Sequence, residues 1–405
     1  MAAPAVVTKP GSLGAICSLY CGALAIGFTQ VSYSASSTVL RQVHGFSDTQ
    51  YGAIYLPLLV AAIVGALGGG TLAQRVGIKP VYSMSLVLIL LSQAMLAASA
   101  MADSMTAFNL ILLSTSSFGF GFGLCVGSLN ALAVALFPNR PHSSITVLHM
   151  IAGVGFATGP ILFGAFANAG HWAMAPTAVA LFTGLVLLVT LRSNVRTAAP
   201  ATDDPAVNAA VSSSYFWLMV CAAFLYAMAE GTFSNWAVIY LKEVLGQSLE
   251  TAVLALTTFW TSITVGRLVL SFAMVAIRPV VIALTLPLLM AVAFIGLPHV
   301  DSRASALSFY AIAGFGCSAL FPLIIGLTSS RFKQSVAWCA SILTAAMMAG
   351  GGVGTFAVGL IRSHFSLPQI FWMAAGVPAA LFLLMALAEG RTVKAAHSKP
   401  TTVIA

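Results

Sequence analysis

Charge is what this chain lacks. Of its 405 residues, 6% are Asp, Glu, Lys or Arg, and nine are acidic. An ordinary soluble domain carries about a quarter charged residues, so a soluble fold of this size could not cover its surface. Cysteine is also scarce. Cys17, Cys21, Cys125, Cys221, Cys317 and Cys339 all fall in apolar runs, without a CxxC or His-rich pairing. That pattern indicates neither a metal site nor a disulfide framework and leaves small buried hydrophobes as the expectation. No nucleotide-binding cassette, metal spacing or nucleophile constellation occurs, and no soluble segment could house one. Neither an enzyme nor a cofactor is expected.

What the chain has is apolar sequence, 60% of all residues. A bilayer core needs about 20 apolar residues per helix. Twelve such runs are legible: 13–39, 51–72, 81–101, 106–137, 144–167, 175–191, 214–241, 250–275, 279–298, 304–329, 336–361 and 369–388. Helices follow because every backbone group must be satisfied inside lipid. The first run continues for a full span and is followed by many others, so it reads as a short tail and a first helix rather than a signal peptide.

The net charge of +8 would suggest nucleic acid in a soluble protein, but its placement fits a membrane. With the N-terminus cytoplasmic, that side holds Lys9, Arg75, Lys79, Arg140, Arg192, Arg196, Arg267, Arg278, Arg331, Lys333, Arg391, Lys394 and Lys399. The other side holds Arg41, Lys242, Arg303 and Arg362. Thirteen against four is a strong positive-inside bias, and an even number of spans puts both termini in the cytoplasm.

The longest polar interval, rich in Pro, Ala, Ser and Asp, predicts a cytoplasmic linker over 193–213. It would divide an N-terminal six-helix bundle, 1–192, from a C-terminal one, 214–405, with a short tail. An internal repeat supports the division. Shifting the first half by 195 residues places Gly119, Gly121, Gly155, Gly159 and Gly164 on Gly314, Gly316, Gly350, Gly354 and Gly359, and Phe120 on Phe315. Small residues at i and i+4 let helices approach closely, so these glycines read first as packing surfaces. Two parallel halves about an axis along the membrane normal are a known transporter plan, with the site between them near the midplane.

Residues 69–80, GGTLAQRVGIKP, carry a further signal. Gly70, Leu72, Ala73, Arg75, Gly77 and Lys79 match the loop signature of the major facilitator superfamily, which this chain resembles over nearly its whole length. Gln74 replaces the usual Asp. The resemblance implies an all-α fold of twelve transmembrane helices in two pseudo-symmetric six-helix bundles. It also implies a gate at this loop, formed by Gly70, Arg75, Gly77 and Lys79, with Arg267 of VGRLVL as a further gate contact. Two segments, GSLNALAVALFPNRPHSSITVLHMIAGVGFATGPILFGA and EGTFSNWAVIYL, resemble the fucose–proton symporter-like branch through Asn130, His149, Gly153, Gly155, Gly159, Pro160, Glu230, Gly231, Trp236 and Tyr240. The acids that sugar-carrying members place in spans one and four are absent here. The Gly155 to Gly164 segment also partly resembles the signature of drug–proton antiporters.

Of the nine acids only Glu230 lies deep in a span, about 24 Å along its helix at 1.5 Å per residue. An acid at the bilayer centre costs about 2.5–3.5 kcal/mol on insertion scales, so it ordinarily faces a cavity and functions there. Glu230 is the candidate proton carrier. The bland alternative is a hydrogen-bonded Glu tying span seven to a neighbour. Tyr226 shares its face, and Asn235 and Trp236 follow. Trp236 divides between gate and interfacial anchor. Gln30, Tyr33 and Ser34 in span one, and Thr257, Thr258, Thr261 and Thr264 in span eight, can line a solute site or bond their own backbone. Gln30, Tyr33, Asn130, Tyr226, Glu230, Asn235, Trp236 and Thr261 are carried forward as substrate-binding candidates. Asn130 and His149 can meet at one depth, as a structural hydrogen bond or with His149 sensing protons. Arg267 is expected to snorkel to the interface.

The expected protein is a monomeric, multi-pass transporter of the cell inner (plasma) membrane. It moves a small polar solute by alternating access, coupled to protons. Its partners are that solute, the proton and the lipid bilayer, with no nucleic acid. Proton-antiport export of an amphipathic compound and a non-transporting sensor with a transporter fold are the alternatives.

Overall fold

The computed structural model describes residues 13–193, 210–333 and 335–397, nearly all of them helical. The predicted linker falls mostly on 194–209, outside the described residues. Twelve helices are long and apolar enough to cross a membrane. They are spans 1 (Leu13–Ala35), 2 (Asp48–Val76), 3 (Ile78–Met101), 4 (Ser104–Leu136), 5 (Ser143–Asn168) and 6 (Met174–Arg192), then 7 (Ser214–Asn235), 8 (Leu249–Ala273), 9 (Pro279–His299), 10 (Arg303–Arg331), 11 (Trp338–Ile361) and 12 (Leu367–Gly390). They match the expected runs to within a few residues at most ends.

The differences are breaks. Span 1 stops at Ser36 and resumes as a short helix, Ser37–His44; span 7 stops at Trp236 and resumes as Ala237–Glu243. Hydroxyls crowd the first break. Ser32 and Ser34 donate to the carbonyls of Thr29 and Val31 at 2.8 and 3.2 Å, a competition with the helical ladder that bends helices. Span 10 breaks between Cys317 and Leu320. Cys125, Cys317 and Cys339 are buried as expected, but Cys17 and Cys221 are exposed.

The repeat is physical. Gly155 packs on the Leu24 carbonyl of span 1, and Gly350 on the Phe224 carbonyl of span 7. Gly159 meets Phe28, and Gly354 meets Met228. Gly119 packs on the Leu58 carbonyl, and Gly314 on that of Phe259. Spans 1 and 7 therefore superpose at a shift of 200, spans 2 and 8 at 201, and spans 4–5 and 10–11 at 195. At these shifts Gln30 occupies the place of Glu230, and the breaks at Ser36 and Trp236 coincide. The two six-helix bundles are pseudo-symmetric, and the glycines let backbones touch where any side chain would hold them apart.

The bundles meet along two related seams, span 2 on span 11 and span 5 on span 8. In the first, Gly52 packs on Phe356 and Gly359, and Gly352 on Tyr55 and Leu59. In the second, Gly164 packs on Val253, Phe156 on Trp260, and Gly153 on Thr264. Both seams run from the end of the molecule that carries Arg41 to mid-span.

Candidate functional site

The site is built around span 7. Glu230 is half-buried. The Tyr226 hydroxyl, one turn earlier on the same face, lies close enough to interact with it. The Tyr226 ring is held by stacking on Phe321 of span 10, centroids 6.1 Å apart at 9°. Arg267 of span 8 lies close enough for its charge to act on Glu230, Tyr226 and Cys317, without direct ion-pair contact to the carboxylate. His149 of span 5, in the other bundle, is exposed and lies within reach of the same charge. One arginine of span 8 thus lies within charge range of an acid of its own bundle and an imidazole of the opposite one.

A proline fixes that arginine. Pro322 has no N–H to give the carbonyl four residues earlier, which belongs to Ser318. Arg267 Nε donates to the Ser318 oxygen at 3.0 Å. Gly266 permits the approach, because it packs directly on the Ser318 side chain. The Nε of Arg267 is thus held within its own bundle, where the sequence predicts a side chain reaching for the interface. A freed backbone carbonyl inside the bundle gives it a nearer partner.

The other predicted residues divide. Asn235 Nδ2 donates to Thr355 Oγ1 at 2.8 Å, and its carbonyl accepts from the Tyr51 hydroxyl at 2.7 Å. Trp236 is fully buried, donates to the Thr355 carbonyl at 3.1 Å and meets the Tyr51 ring edge-on at 5.2 Å. It is no lipid-facing anchor; it joins the two bundles. Gln30 is half-buried. Tyr33 is sealed inside the N-terminal bundle, its hydroxyl bonded to Ser114 at 2.7 Å. Thr261 shares the exposed stripe of Val265, Leu268 and Phe272, away from Arg267. Asn130 and His149 do not pair. Asn130 Oδ1 is buried without a hydrogen-bond partner, because span 5 turns Ser144, bonded to the Ala133 carbonyl at 3.2 Å, toward span 4.

Among the described residues, no hydrogen bond or ion pair joins the signature loop to the other bundle. Lys79 Nζ donates to the carbonyls of Leu191 and Ser193, at 3.0 and 2.6 Å, and so caps span 6 of its own half. Arg75 is exposed, and Gly70 has open space beside it. Gly77 does make the expected tight turn, at φ 91°.

The closure lies at the opposite end, on residues that the sequence reading passed over as loop charges. Arg41 pairs with Asp48 at 3.0 Å and with Glu243; Arg362 pairs with Asp48 at 3.7 Å and with Glu243 at 3.5 Å. Each arginine bridges an acid of its own half and one of the other. The side poorer in cations carries both arginines, each within reach of an acid, and that was the available signal. Thr49 adds a hydrogen bond to the Gly359 carbonyl at 3.1 Å.

Twelve spans, two repeated bundles and an ionisable cluster between them define a membrane transporter of the two-bundle type. The model of the Major Facilitator Superfamily matches residues 19–340, and the chain belongs to that family. An uncharacterized transporter of Sinorhizobium fredii, y4wD, is 26% identical over 75% of this chain and 88% of its own. Among solved structures, the fold is similar to a D-xylose–proton symporter, with TM-score 0.72 and 16% identity over 92% of this chain and 96% of that one. It is similar also to the nucleoside transporter NupG, with TM-score 0.73 and 14% identity over 91% and 99%. The family and these relatives are transporters, not enzymes.

Proposed function

We propose that this protein is a secondary active transporter that carries a small polar solute across the cytoplasmic membrane by alternating access, coupled to protons through Glu230. The observation that carries the reading is the polar cluster inside the membrane, with Glu230 and Arg267 in one bundle and His149 in the other. An intramembrane acid is retained where it works, and this one faces a cation without being locked to it. In its charged form Glu230 is balanced by Arg267; in its protonated form it releases Arg267 to solute or solvent.

The excess of Lys and Arg on one side supports cytoplasmic termini and an inner-membrane location. The Arg41 end then faces outward, and the present state is closed outside. The segment 193–213 is the cytoplasmic linker of the proposed division. Solute contacts are assigned to Glu230, Tyr226 and Gln30, with Asn130, whose buried oxygen has no partner. Asn235 and Trp236 are reassigned to the outer closure. Arg75 and Lys79 become gate contacts in the opposite state, when their end closes.

The test uses purified protein in proteoliposomes with an imposed pH gradient, screened against a solute library. A solute accumulated by wild type should not be accumulated by Glu230→Gln, while its exchange in the absence of a gradient persists. Unchanged gradient-driven accumulation in Glu230→Gln removes the coupling role.

A further inference from the structure

Span 8 holds a second polar feature that the Glu230 cluster does not use. Trp260 is 7% exposed and its Nε1–H has no hydrogen-bond partner. One turn away, Thr257 Oγ1 is buried and equally unpartnered. A threonine in a helix ordinarily satisfies itself on the carbonyl four residues back. Thr258 and Thr264 do so here, at 2.7 and 3.0 Å, and Thr257 does not. Its hydroxyl is turned away from its own helix.

Both groups lie on the span 8 face that meets span 5, between the contacts of Val253 with Gly164 and Thr264 with Gly153. Across the seam the Phe156 ring packs on Trp260, centroids 4.8 Å apart at 30°. Phe156 precedes Pro160 by four residues, inside one continuous helix. Its carbonyl therefore lacks the N–H that would ordinarily bond it. A donor, a hydroxyl and an acceptor, each without its ordinary partner, thus belong to the two helices of one seam between the bundles. Leaving such groups unpaired costs their desolvation, so a site of this kind is made to be filled.

We propose that Trp260 Nε1, Thr257 Oγ1 and the Phe156 carbonyl form a subsite for a hydroxyl group of an uncharged polyhydroxy solute. A hydroxyl accepts from the indole and donates to the carbonyl at once, which neither an ammonium nor a carboxylate can do. The aromatic faces beside it suit the C–H surface of such a solute. The nearest cation on this face, Arg267, is two turns along, about 10 Å. The inference rests on the transport reading, since the seam joins the pathway only when the bundles rock apart.

The experiment is thermal-shift titration of the purified full-length protein with D-xylose, D-glucose, myo-inositol and uridine. At least one should stabilise wild type saturably. Trp260→Phe keeps the ring against Phe156 and deletes the N–H; it should raise the half-saturating concentration at least tenfold. Thr257→Val should raise it severalfold, and it carries the test alone if Trp260→Phe does not fold. The subsite is overturned if none of the four compounds stabilises wild type, or if binding is the same in both variants. Gradient-driven uptake with binding indifferent to both variants sinks the subsite and spares the Glu230 coupling. Binding through Trp260, with uptake by Glu230→Gln as in wild type, does the reverse.

Discussion

At the scale of single residues, two prolines do more than bend helices. Pro322 leaves the Ser318 carbonyl for Arg267, and the guanidinium is thereby held within charge range of Glu230. Pro322→Ala supplies the missing N–H and competes for that carbonyl. Pro322 lies in the first turn of the helix Leu320–Arg331, where a missing N–H costs little, so this variant should melt at about the wild-type temperature and yet transport less under a pH gradient. Equal or faster gradient-driven uptake would show that Arg267 needs no anchor. Arg267→Lys should also fail, because a lysine cannot bond Ser318 through an Nε–H while extending its charge beyond it.

His44 gives a second prediction at this scale. It is 5% exposed, lies among the rings of Phe46 and Trp172, and has an unpartnered Nε2. Burial holds its pKa below the ordinary 6.5, so the unfolded chain takes up a proton first as pH falls. The contribution to stability is intact above about pH 6.5 and is lost as pH drops toward the folded value. Melting temperature should fall between pH 6.5 and 5 in wild type, and fall less in His44→Phe. Parallel curves for the two proteins would clear His44 of the effect.

At the scale of elements, the glycines carry the argument. Gly155 sits on the Leu24 backbone, whereas Gly70 has open space beside it. Gly155→Val should therefore destabilise by about 1–3 kcal/mol or more, as overpacking does. Gly70→Ala, in a helix with room, should be neutral or stabilising by roughly 0.5–1 kcal/mol. Thermal midpoints of the two variants in one detergent test the contrast. The same elements mark what the sequence could disclose. Span positions were legible because lipid forces long apolar helices, and the repeat because close helix contact forces glycine to recur. Glu230 was legible because an acid in hydrocarbon is costly. The breaks at Ser36 and Trp236 were not, since short hydroxyl-rich stretches are compatible with straight helix. The partner of Arg267 was not legible, because it is a backbone carbonyl of another span. Thr261 was misplaced because its span offers hydroxyls on several faces.

At the scale of the molecule, the state is set at one end. The four pairs among Arg41, Asp48, Glu243 and Arg362 are partly exposed, with side chains 18–36% accessible. Isolated pairs of this kind contribute at most about 1 kcal/mol each. The alternation of sign matters more than the sum. Removing one arginine leaves two acids from opposite halves facing each other with a single cation between them. Arg41→Ala should therefore open this end more than Arg41→Ala combined with Glu243→Ala, which restores neutrality, a non-additivity that a double-mutant cycle measures. The readout is labelling of Asn235→Cys, just beneath the ring, by a membrane-impermeant maleimide, in a background with the native cysteines replaced by serine. The rate should rise severalfold in Arg41→Ala, rise less in the double variant, and increase with ionic strength in the parent, since salt screens exposed pairs. If labelling is equally slow in all three, the hydrogen bonds of Tyr51 to the backbone carbonyl at position 235 and of Trp236 to the Thr355 carbonyl hold the seam by themselves, and the charged ring above them is no lock.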